Sequence, residues 1–191
     1  MSNTDFFVDS IIYRDLKPEN IGIDSHGTIK IFDFGLAKEL KDTYKVRDNQ
    51  YRLSIAGTRR YMSPEVFLGE LYGKPADIYS FALTMWELVS LRSPYSQLKD
   101  YNFTKKVMIQ KKRPKLPSYL DIDLKSLIRL SWSHDPMIRH TASVLHDKIG
   151  DYISRREFRE GNGSLIPSKG TSRFGSTNTF IYYMKQFLKG S

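Results

Sequence analysis

The chain has 191 residues, which is long enough for one complete hydrophobic core. Its hydrophobic content of 40% and charged content of 27% are ordinary for a globular protein, and its net charge of +9 gives only a weak bias towards acidic partners. The absence of cysteine excludes disulfides and thiolate metal sites and fits an intracellular protein.

Membranes and nucleic acids are disfavoured as partners. The best apolar run, residues 78–91, contains Glu87 and falls short of the roughly 18 residues that a membrane span requires. Residues 1–10 are acidic and lack the basic and apolar regions of a secretory signal. Aromatic and basic residues do not interleave as they do in nucleic-acid-binding modules. We therefore predict no membrane span and no nucleic-acid ligand.

The first predicted element is a β-hairpin within residues 11–35. Isoleucines alternate with other residues on both sides of a turn at residues 24–27. Because a hairpin fixes the distance between its ends, we expect Asp15, Asn20 and Asp33 to converge at one edge. Two carboxylates and an amide oxygen suit a divalent cation together with a general base.

The two ends of this hairpin resemble the catalytic loop and the metal-binding loop of eukaryotic protein kinases. Residues 13–20 read YRDLKPEN and residues 33–35 read DFG. The alternative interpretation is a hairpin that merely has polar ends and contains a DFG triplet by chance. A DFG triplet alone would deserve that interpretation. Both motifs, in this order and at a hairpin's separation, identify the chain as a member of that family.

The resemblance implies a role for each polar side chain of the two loops. Asp15 accepts the proton of the substrate hydroxyl, and Lys17 neutralises the phosphoryl group during transfer. Asn20 holds one magnesium ion, and Asp33 holds the metal that bridges the phosphates of ATP. A well-placed base typically contributes about 10²–10⁴ in rate. Next to Asp33, Phe34 and Gly35 complete the metal-binding loop as structural residues.

Two residues depart from the usual kinase pattern. Tyr13 stands where the motif normally has histidine, and either ring can pack on Phe34 while its polar atom reaches a backbone partner. Gly22 stands where an apolar side chain usually contributes to the floor of the adenine pocket. Losing one aliphatic contact costs on the order of 1–3 kcal/mol. This departure predicts a weakened affinity for nucleotide.

Residues 36–65 resemble the activation segment of a kinase and end in the sequence GTRRYMSPE. The resemblance implies that Thr58 hydrogen-bonds Asp15 and Lys17, which ties the acceptor site to the base. Glu65 belongs to the Pro-Glu anchor that closes the segment.

Ser54 lies four residues before Thr58, at a position that family members often phosphorylate. A phosphate there would add about −1.5 to −2 charges, and Arg14 is its natural partner. The alternative is that Ser54 is a solvated loop serine. Tyr51 and Thr43 are weaker candidates for modification.

Helical spacing of apolar residues predicts the remaining elements. The strongest pattern begins at residues 74–77 and is apolar on nearly every face, which indicates a helix buried all round. Amphipathic helices follow over residues 100–113 and 121–132, and a last helix spans residues 141–159. The residues expected on the apolar faces of these three are Tyr101, Phe103, Val107, Met108, Leu124, Leu127, Ile128, Leu130, Val144, Leu145, Ile149, Tyr152 and Ile153.

Two charged residues of the helical part have implied roles. Asp77 lies early in the predicted central helix, where an acid is often only a cap. The resemblance implies instead that Asp77 holds the backbone of the catalytic loop. Residues 132–139 resemble the closing pattern of the family, in which Arg139 forms a largely buried ion pair with Glu65.

The expected fold is mainly α, within an α+β family. It is a protein-kinase-like C-terminal lobe of residues 11–159, helical with a small β-hairpin that bears the catalytic and DFG loops. Residues 1–10 are interpreted as a remnant of the helix before the catalytic loop, and residues 160–191 as a flexible basic tail. No N-terminal lobe is recognisable, so we expect a partial kinase domain whose central helix has an apolar face for a partner.

The expected function is that of a protein serine/threonine kinase, which transfers the γ-phosphate of ATP to Ser/Thr hydroxyls of protein substrates with ATP and Mg²⁺ as cofactors. Lys17 and residues 57–58 resemble the serine/threonine form of the motifs. Residues 86–87 and 132–139 resemble the tyrosine-kinase-like branch. The alternative is a non-catalytic kinase remnant that acts as a binding or scaffold module. The coding sequence upstream of Met1 would discriminate between these two.

Overall fold

The computed structural model describes residues 11–26 and 28–160, without the side chains of residues 157–160. The interpretations of residues 1–10 and of the tail after residue 160 lie outside the described residues. Within them, six short strands precede five helices. This helical architecture with small β-hairpins agrees with the fold class expected from the sequence.

The predicted hairpin is confirmed. Strands β2 (Ile21–Ile23) and β3 (Ile29–Ile31) pair antiparallel, with Ile21 opposite Ile31. Asp24 closes the turn, because its Oδ1 accepts hydrogen bonds of 2.9 Å from the backbone N–H groups of residues 26 and 28. The side chain of Asp24 thereby fixes the register that brings the two polar ends together.

Two further antiparallel strand pairs were not predicted from the sequence. Strand β1 (Ile11–Ile12) pairs with β4 (Lys38–Glu39), which joins the residues before the catalytic loop to those after the DFG motif. Strand β5 (Lys45–Arg47) pairs with β6 (Gln50–Tyr51). The pairing of β1 with β4 thus holds together the two ends of the segment that contains the catalytic loop and the DFG loop.

The predicted central helix is α2 (Pro75–Ser90), and most of its residues are buried. It follows the short helix α1 (Pro64–Phe67) and packs against α4 (Ile122–Ser131). A proline in its first turn and a residue in the left-handed region just after its end set its limits, in keeping with the sequence signals.

The helix predicted over residues 100–113 is shorter and changes type. A turn of α-helix, α3 (Asp100–Phe103), continues as a π-helix over Thr104–Ile109. The backbone N–H of Gln110 bonds the carbonyl of Lys105, five residues earlier, which is the wider spacing of a π-helix. Lys111 then has a φ of 56°, which ends the helix before the predicted limit.

The last helix, α5 (Ala142–Glu160), agrees closely with its predicted range. Leu145, Ile149, Tyr152 and Ile153 are buried as expected, but Val144 is 41% exposed. Tyr101 in α3 and Leu130 in α4 are also exposed, so the expectation that they face the core is wrong. Each of these three residues lies on the solvent side of its helix, because the packed face is narrower than the apolar pattern indicates.

An apolar groove of about 260 Å³ runs between the start of α2 and α5. Its walls include Leu16, Phe34, Phe81, Leu145 and Ile149. This is the apolar face that the sequence analysis expected beside the central helix, and its coverage by a partner stays a prediction. No helix within residues 11–26 and 28–160 is long and apolar enough to cross a membrane.

Candidate active site

Asp15 is the centre of a hydrogen-bonded network of polar side chains. Lys17 Nζ lies 2.9 Å from Asp15 Oδ2, and the backbone N–H of Thr58 donates to Asp15 Oδ1 at 2.7 Å. Lys17 Nζ also donates to Thr58 Oγ1 at 2.7 Å. Asn20 Nδ2 donates to the carbonyl oxygen of Asp15 at 2.9 Å and to Oδ2 at 3.2 Å. The structure thus brings together four of the predicted site residues.

These contacts hold Asp15 as a carboxylate. Burial alone would raise the pKa of Asp15, but hydrogen bonds from Lys17 and Thr58 outweigh burial and lower the pKa below its usual value. Asp15 is therefore ionised at neutral pH. An ionised carboxylate beside a lysine has the charge state that a proton acceptor needs.

Gly57 allows the activation segment to approach the catalytic loop this closely. Its φ is 116°, a conformation that side chains strongly disfavour. A Cβ atom at this position would lie 2.3 Å from the carbonyl oxygen of Arg14. Only glycine can therefore occupy residue 57 while the next residue, Thr58, donates to Asp15.

Asp77 fixes the backbone of the catalytic loop from the first turn of α2. Its Oδ2 accepts from the N–H of Tyr13 at 2.7 Å and its Oδ1 from the N–H of Arg14 at 2.8 Å. Burial raises the pKa of Asp77, and these two N–H groups and the Arg14 charge oppose that rise. Asp77 therefore anchors the catalytic loop rather than acting only as a helix cap, and it holds Arg14, whose backbone has a φ of 72°.

Asp33 begins the DFG turn in the left-handed region, with φ 53° and ψ 72°. Its Oδ1 accepts from the N–H of Gly35 at 3.2 Å, and the side chain is otherwise exposed. Phe34 packs edge-to-face on Tyr13, with ring centroids 5.3 Å apart, and the Tyr13 hydroxyl donates to the carbonyl of Phe32. The prediction that Tyr13 packs on Phe34 and reaches a backbone partner is confirmed.

Three acidic residues of the site act on the pKa of Tyr13. The pKa of Tyr13 is raised, first by burial and then by the negative charges of Asp15, Asp33 and Asp77, while a hydrogen bond with Asn20 opposes the rise. Contacts of Tyr13 agree with this, because Asp77 accepts from its N–H and Phe34, which follows Asp33, packs on its ring. The expectation that the ends of the hairpin converge fits this arrangement.

The Phe32 ring occupies the space beside Gly22. A Cβ atom on Gly22 would lie 2.4 Å from Phe32 Cε2 and 2.6 Å from Cζ. Real Cβ atoms do not approach other atoms this closely, so any larger residue at position 22 must displace the ring. The side chain that residue 22 lacks is thus replaced by an aromatic ring from the opposite strand end, which the sequence analysis did not foresee.

Arg14 links the catalytic loop to the activation segment. Its Nε donates to the carbonyl of Leu36 at 2.6 Å, and its Nη1 lies 3.4 Å from both the carbonyl and the Oγ of Ser54. The buried Tyr72 joins this cluster, with its hydroxyl 3.3 Å from Arg14 Nη1 and 2.6 Å from the Ser54 carbonyl. Tyr72 is a site-supporting residue that sequence reasoning missed, because no motif includes it.

The predicted ion pair between Glu65 and Arg139 is present and bidentate. Arg139 Nη1 lies 2.6 Å from Glu65 Oε1, and Nη2 lies 2.8 Å from Oε2. Arg139 also donates to the carbonyls of Ser133 and Pro75 at 2.9 Å and packs on the Tyr79 ring. The pair joins the end of the activation segment to the turn Pro136–Ile138 through buried groups.

Asn20 and Asp33 offer oxygen atoms of the kind that Mg²⁺ prefers. The amide nitrogen of Asn20 bonds to Asp15, so its amide oxygen is the atom that would face a cation, and Asp33 keeps one carboxylate oxygen beyond its bond to Gly35. Among the described residues, no three acidic, histidine or cysteine side chains cluster into a metal site made of protein ligands alone. Such a sparse oxygen set suits Mg²⁺, which commonly takes further ligands from phosphates and water.

Comparison with known proteins gives the same family. The family model described as "Protein kinase domain" matches residues 6–148. The dual specificity protein kinase shkD of Dictyostelium discoideum is 32% identical over 144 residues, 75% of this chain and 19% of the relative. The serine/threonine-protein kinase STY17 of Arabidopsis thaliana is 34% identical over 144 residues, 75% of this chain and 24% of the relative.

A third relative, the serine/threonine-protein kinase CTR1 of Arabidopsis thaliana, is 31% identical over 143 residues, 75% of this chain and 17% of the relative. The chain thus spans about a fifth of the length of these relatives. The family model covers about three quarters of the chain and includes both loops of the site. The chain belongs to the protein kinase family.

Proposed function

We propose that this chain is part of a serine/threonine protein kinase of the tyrosine-kinase-like branch, which transfers the γ-phosphate of ATP to Ser/Thr hydroxyls of protein substrates. The observation that carries this proposal is the network in which Lys17 contacts both Asp15 and Thr58. It joins a buried, ionised carboxylate to a cation and to the segment on which an acceptor peptide would lie. Phosphoryl transfer needs this combination of positioning and charge neutralisation.

In this proposal Asp15 accepts the proton of the acceptor hydroxyl through the carboxylate that Lys17 and Thr58 keep ionised. Lys17 carries the positive charge that offsets the charge of the transferred phosphoryl group. When bound, MgATP supplies the phosphoryl group and the cation that neutralises its oxygens. Asn20 and Asp33 would hold that cation through the amide and carboxylate oxygens that they keep free.

The activation segment would be ordered by a phosphate on Ser54. The Oγ of Ser54 already lies 3.4 Å from Arg14 Nη1, and the same guanidinium reaches Leu36 beside the DFG turn. A phosphate there would form a charge-assisted pair with Arg14 and draw the segment onto the catalytic loop. Ser54 is thus proposed as the regulatory site of the segment.

Binding of nucleotide is the first test of this function. We expect MgATP to raise the melting temperature of the 191-residue chain, because a ligand at about 100 times its Kd stabilises the folded state by about 2.7 kcal/mol. Asp33→Ala should abolish the magnesium-dependent part of this rise, because it removes the carboxylate ligand. The measurement is a thermal shift with ATP in the presence of Mg²⁺ and of a chelator.

Asp42→Asn provides the matched control, since it removes one exposed carboxylate outside the site. It should leave the nucleotide effect unchanged. An equal, magnesium-independent shift in all three proteins would contradict the roles of Asn20 and Asp33. A wild-type chain that shows no shift would indicate a lobe that cannot hold ATP alone.

Phe32 is proposed to supply the part of the adenine floor that Gly22 cannot. We expect Phe32→Ala to weaken MgATP binding about 2- to 12-fold, because an aromatic contact contributes roughly 0.5–1.5 kcal/mol. The double variant Gly22→Leu/Phe32→Ala should recover much of this loss, because a leucine can then fill the vacated space. Isothermal titration of the wild type and both variants measures the effect, and an unchanged affinity in Phe32→Ala would contradict it.

A further inference from the structure

A cationic cleft lies between the chain segment after the π-helix and helix α4, apart from the candidate active site. Its volume is about 720 Å³, which is in the range of sites for small molecules. Five basic residues and one histidine line it, namely Lys111, Arg113, Lys115, Lys125, Arg129 and His134. No acidic residue is among its lining residues.

The positive charges of this cleft are not neutralised within the described part of the chain. None of the five forms an ion pair with a carboxylate there. Lys125 Nζ donates to the carbonyl of Ser118 at 3.0 Å, and the Nε and Nη1 atoms of Arg113 donate to carbonyl groups. By contrast, Arg155 and Arg156 on α5 both have carboxylates within 4 Å. The cleft therefore concentrates like charges that repel one another unless an anion enters.

Arg113 is held rigidly at the wall of this cleft. Its Nε donates to the carbonyl of Trp132 at 2.9 Å, and its Nη1 donates to the carbonyls of Val107 and Lys112 at 3.2 Å and 3.0 Å. The guanidinium also packs on the Tyr79 ring, 5.0 Å from its centroid. A fixed cation of this kind needs no ordering when a ligand binds, which lowers the entropic cost of binding.

His134 reports the positive potential of the cleft. Burial lowers the pKa of its imidazole, and the charges of Lys111, Arg113 and Arg139 lower it further, while Glu65 opposes them. The imidazole is therefore neutral at pH 7 in the empty cleft. Its Nδ1 is buried and has no hydrogen-bond partner among the described residues.

We propose that this cleft binds a ligand with several clustered phosphate groups, either a free inositol polyphosphate or the headgroup of a phosphoinositide lipid. Several phosphate groups of about −1.5 to −2 charges each match five cations within one small volume, whereas carboxylates would supply too little charge. Arginine binds phosphate in a forked geometry and lysine as a point charge. Leu116 and Trp132 add an apolar wall suited to the carbon ring of an inositol.

The test uses inositol hexakisphosphate as the probe and the full 191-residue chain. The cleft variant is Lys115→Gln/Arg129→Gln, since both side chains are exposed and can be replaced without disturbing the core. The control is Lys99→Gln/Lys105→Gln, which removes the same charge from exposed positions outside the cleft. Isothermal titration at physiological salt measures the affinity of each protein.

We expect the cleft variant to bind about 30-fold more weakly, because each basic residue close to clustered phosphates contributes roughly a factor of five. The control variant should change the affinity less than about twofold, since neither Lys99 nor Lys105 lines the cleft and salt weakens the effect of charges outside it. In the wild type, binding should also raise the pKa of His134, measured by NMR of its imidazole. A His134 resonance that does not respond would overturn the proposal.

Two further measurements distinguish a free inositol polyphosphate from the headgroup of a phosphoinositide lipid. Recruitment of the chain to vesicles with phosphatidylinositol bisphosphate, and not to phosphatidylserine vesicles of equal charge, would identify the lipid headgroup. Binding of inositol hexakisphosphate without such recruitment would identify the free ligand. Equal losses in both double variants, no binding by the wild type, or tighter binding of an RNA oligonucleotide at equal charge would overturn the proposal.

Discussion

Replacing Arg139 with alanine is expected to lower the free energy of unfolding by about 3–5 kcal/mol, because it leaves Glu65 as a buried charge without its partner. The Arg139 side chain is fully buried, and that of Glu65 is 6% exposed, so water cannot solvate the remaining carboxylate. For a chain of this size, the loss corresponds to a fall in melting temperature on the order of 10 °C. Urea denaturation and a thermal melt measure both quantities.

A surface pair provides the control for this prediction. Arg155 lies 3.7 Å from Asp123, and the two side chains are 60% and 50% exposed. Arg155→Ala should cost no more than about 1 kcal/mol, because exposed pairs contribute little in water. An unchanged melting temperature in Arg139→Ala would contradict the structural importance of the buried pair.

The double variant Glu65→Ala/Arg139→Ala separates the ion pair from the other contacts of Arg139. The arginine also donates to the carbonyls of Pro75, Ser133 and His134, and these bonds are lost in any alanine variant. If the pair is coupled, the double variant should be more stable than the sum of the single losses predicts. Hydrogen exchange should also become faster at residues 57–62 in Arg139→Ala, since the pair anchors the end of the activation segment.

The sequence predicted those parts of the site that short motifs encode. Residues 13–20 and 33–35 contain their own turn and hairpin signals, so their polar side chains could be assigned before their contacts were known. The pairings of Asp77 with the catalytic loop and of Arg139 with Glu65 span more than 60 residues. They were predictable only because the resemblance supplied the long-range partners.

Other features depend on tertiary packing that no local pattern shows. Tyr72 reaches Arg14 and Ser54 only because the activation segment folds back across it. The π-helix after Phe103 has the same apolar spacing as an α-helix over such a short range. Val144 looks like its buried neighbour Leu145 in sequence, yet only one of the two faces the core.

The aromatic ring beside Gly22 illustrates the same limit within the site. The sequence identified a missing side chain at residue 22, and from this it predicted a deficient floor for the adenine. Phe32 directly follows strand β3, and its ring enters the space beside Gly22 because glycine presents no Cβ atom. The Phe32 ring thus fills the volume that the missing side chain of Gly22 leaves. This can be recognised only once the pairing of the two strands is known.

Replacing Asp15 with asparagine is expected to lower the turnover number for peptide phosphorylation by about 10²–10⁴, the usual contribution of a positioned base. Asparagine keeps the size of the side chain but cannot accept the proton of the acceptor hydroxyl. The KM for ATP should change little, because Asn20 and Asp33 are proposed to hold the nucleotide's cation. The measurement is peptide phosphorylation at saturating MgATP. It compares the wild type and Asp15→Asn in a catalytically active protein that includes residues 11–160.

Asp42→Asn is the control for turnover, since Asp42 is exposed and is not part of the hydrogen-bonded network of Asp15, Lys17 and Thr58. It should retain wild-type turnover. A loss of less than about tenfold in Asp15→Asn would contradict the role of Asp15 as the base.

The stability of the fold at acid pH tests whether Asp15 is held as a carboxylate, and this test does not depend on catalytic activity. Because the pKa of Asp15 is lowered in the folded chain, its ionised form stabilises the fold at every pH above its unfolded pKa of about 3.9. This contribution is lost as the pH falls through the lower, folded pKa, where Lys17 and Thr58 lose their anionic acceptor. The wild type should therefore lose stability faster than Asp15→Asn between about pH 5 and pH 2, and parallel stability curves would show that Asp15 is not held as a carboxylate.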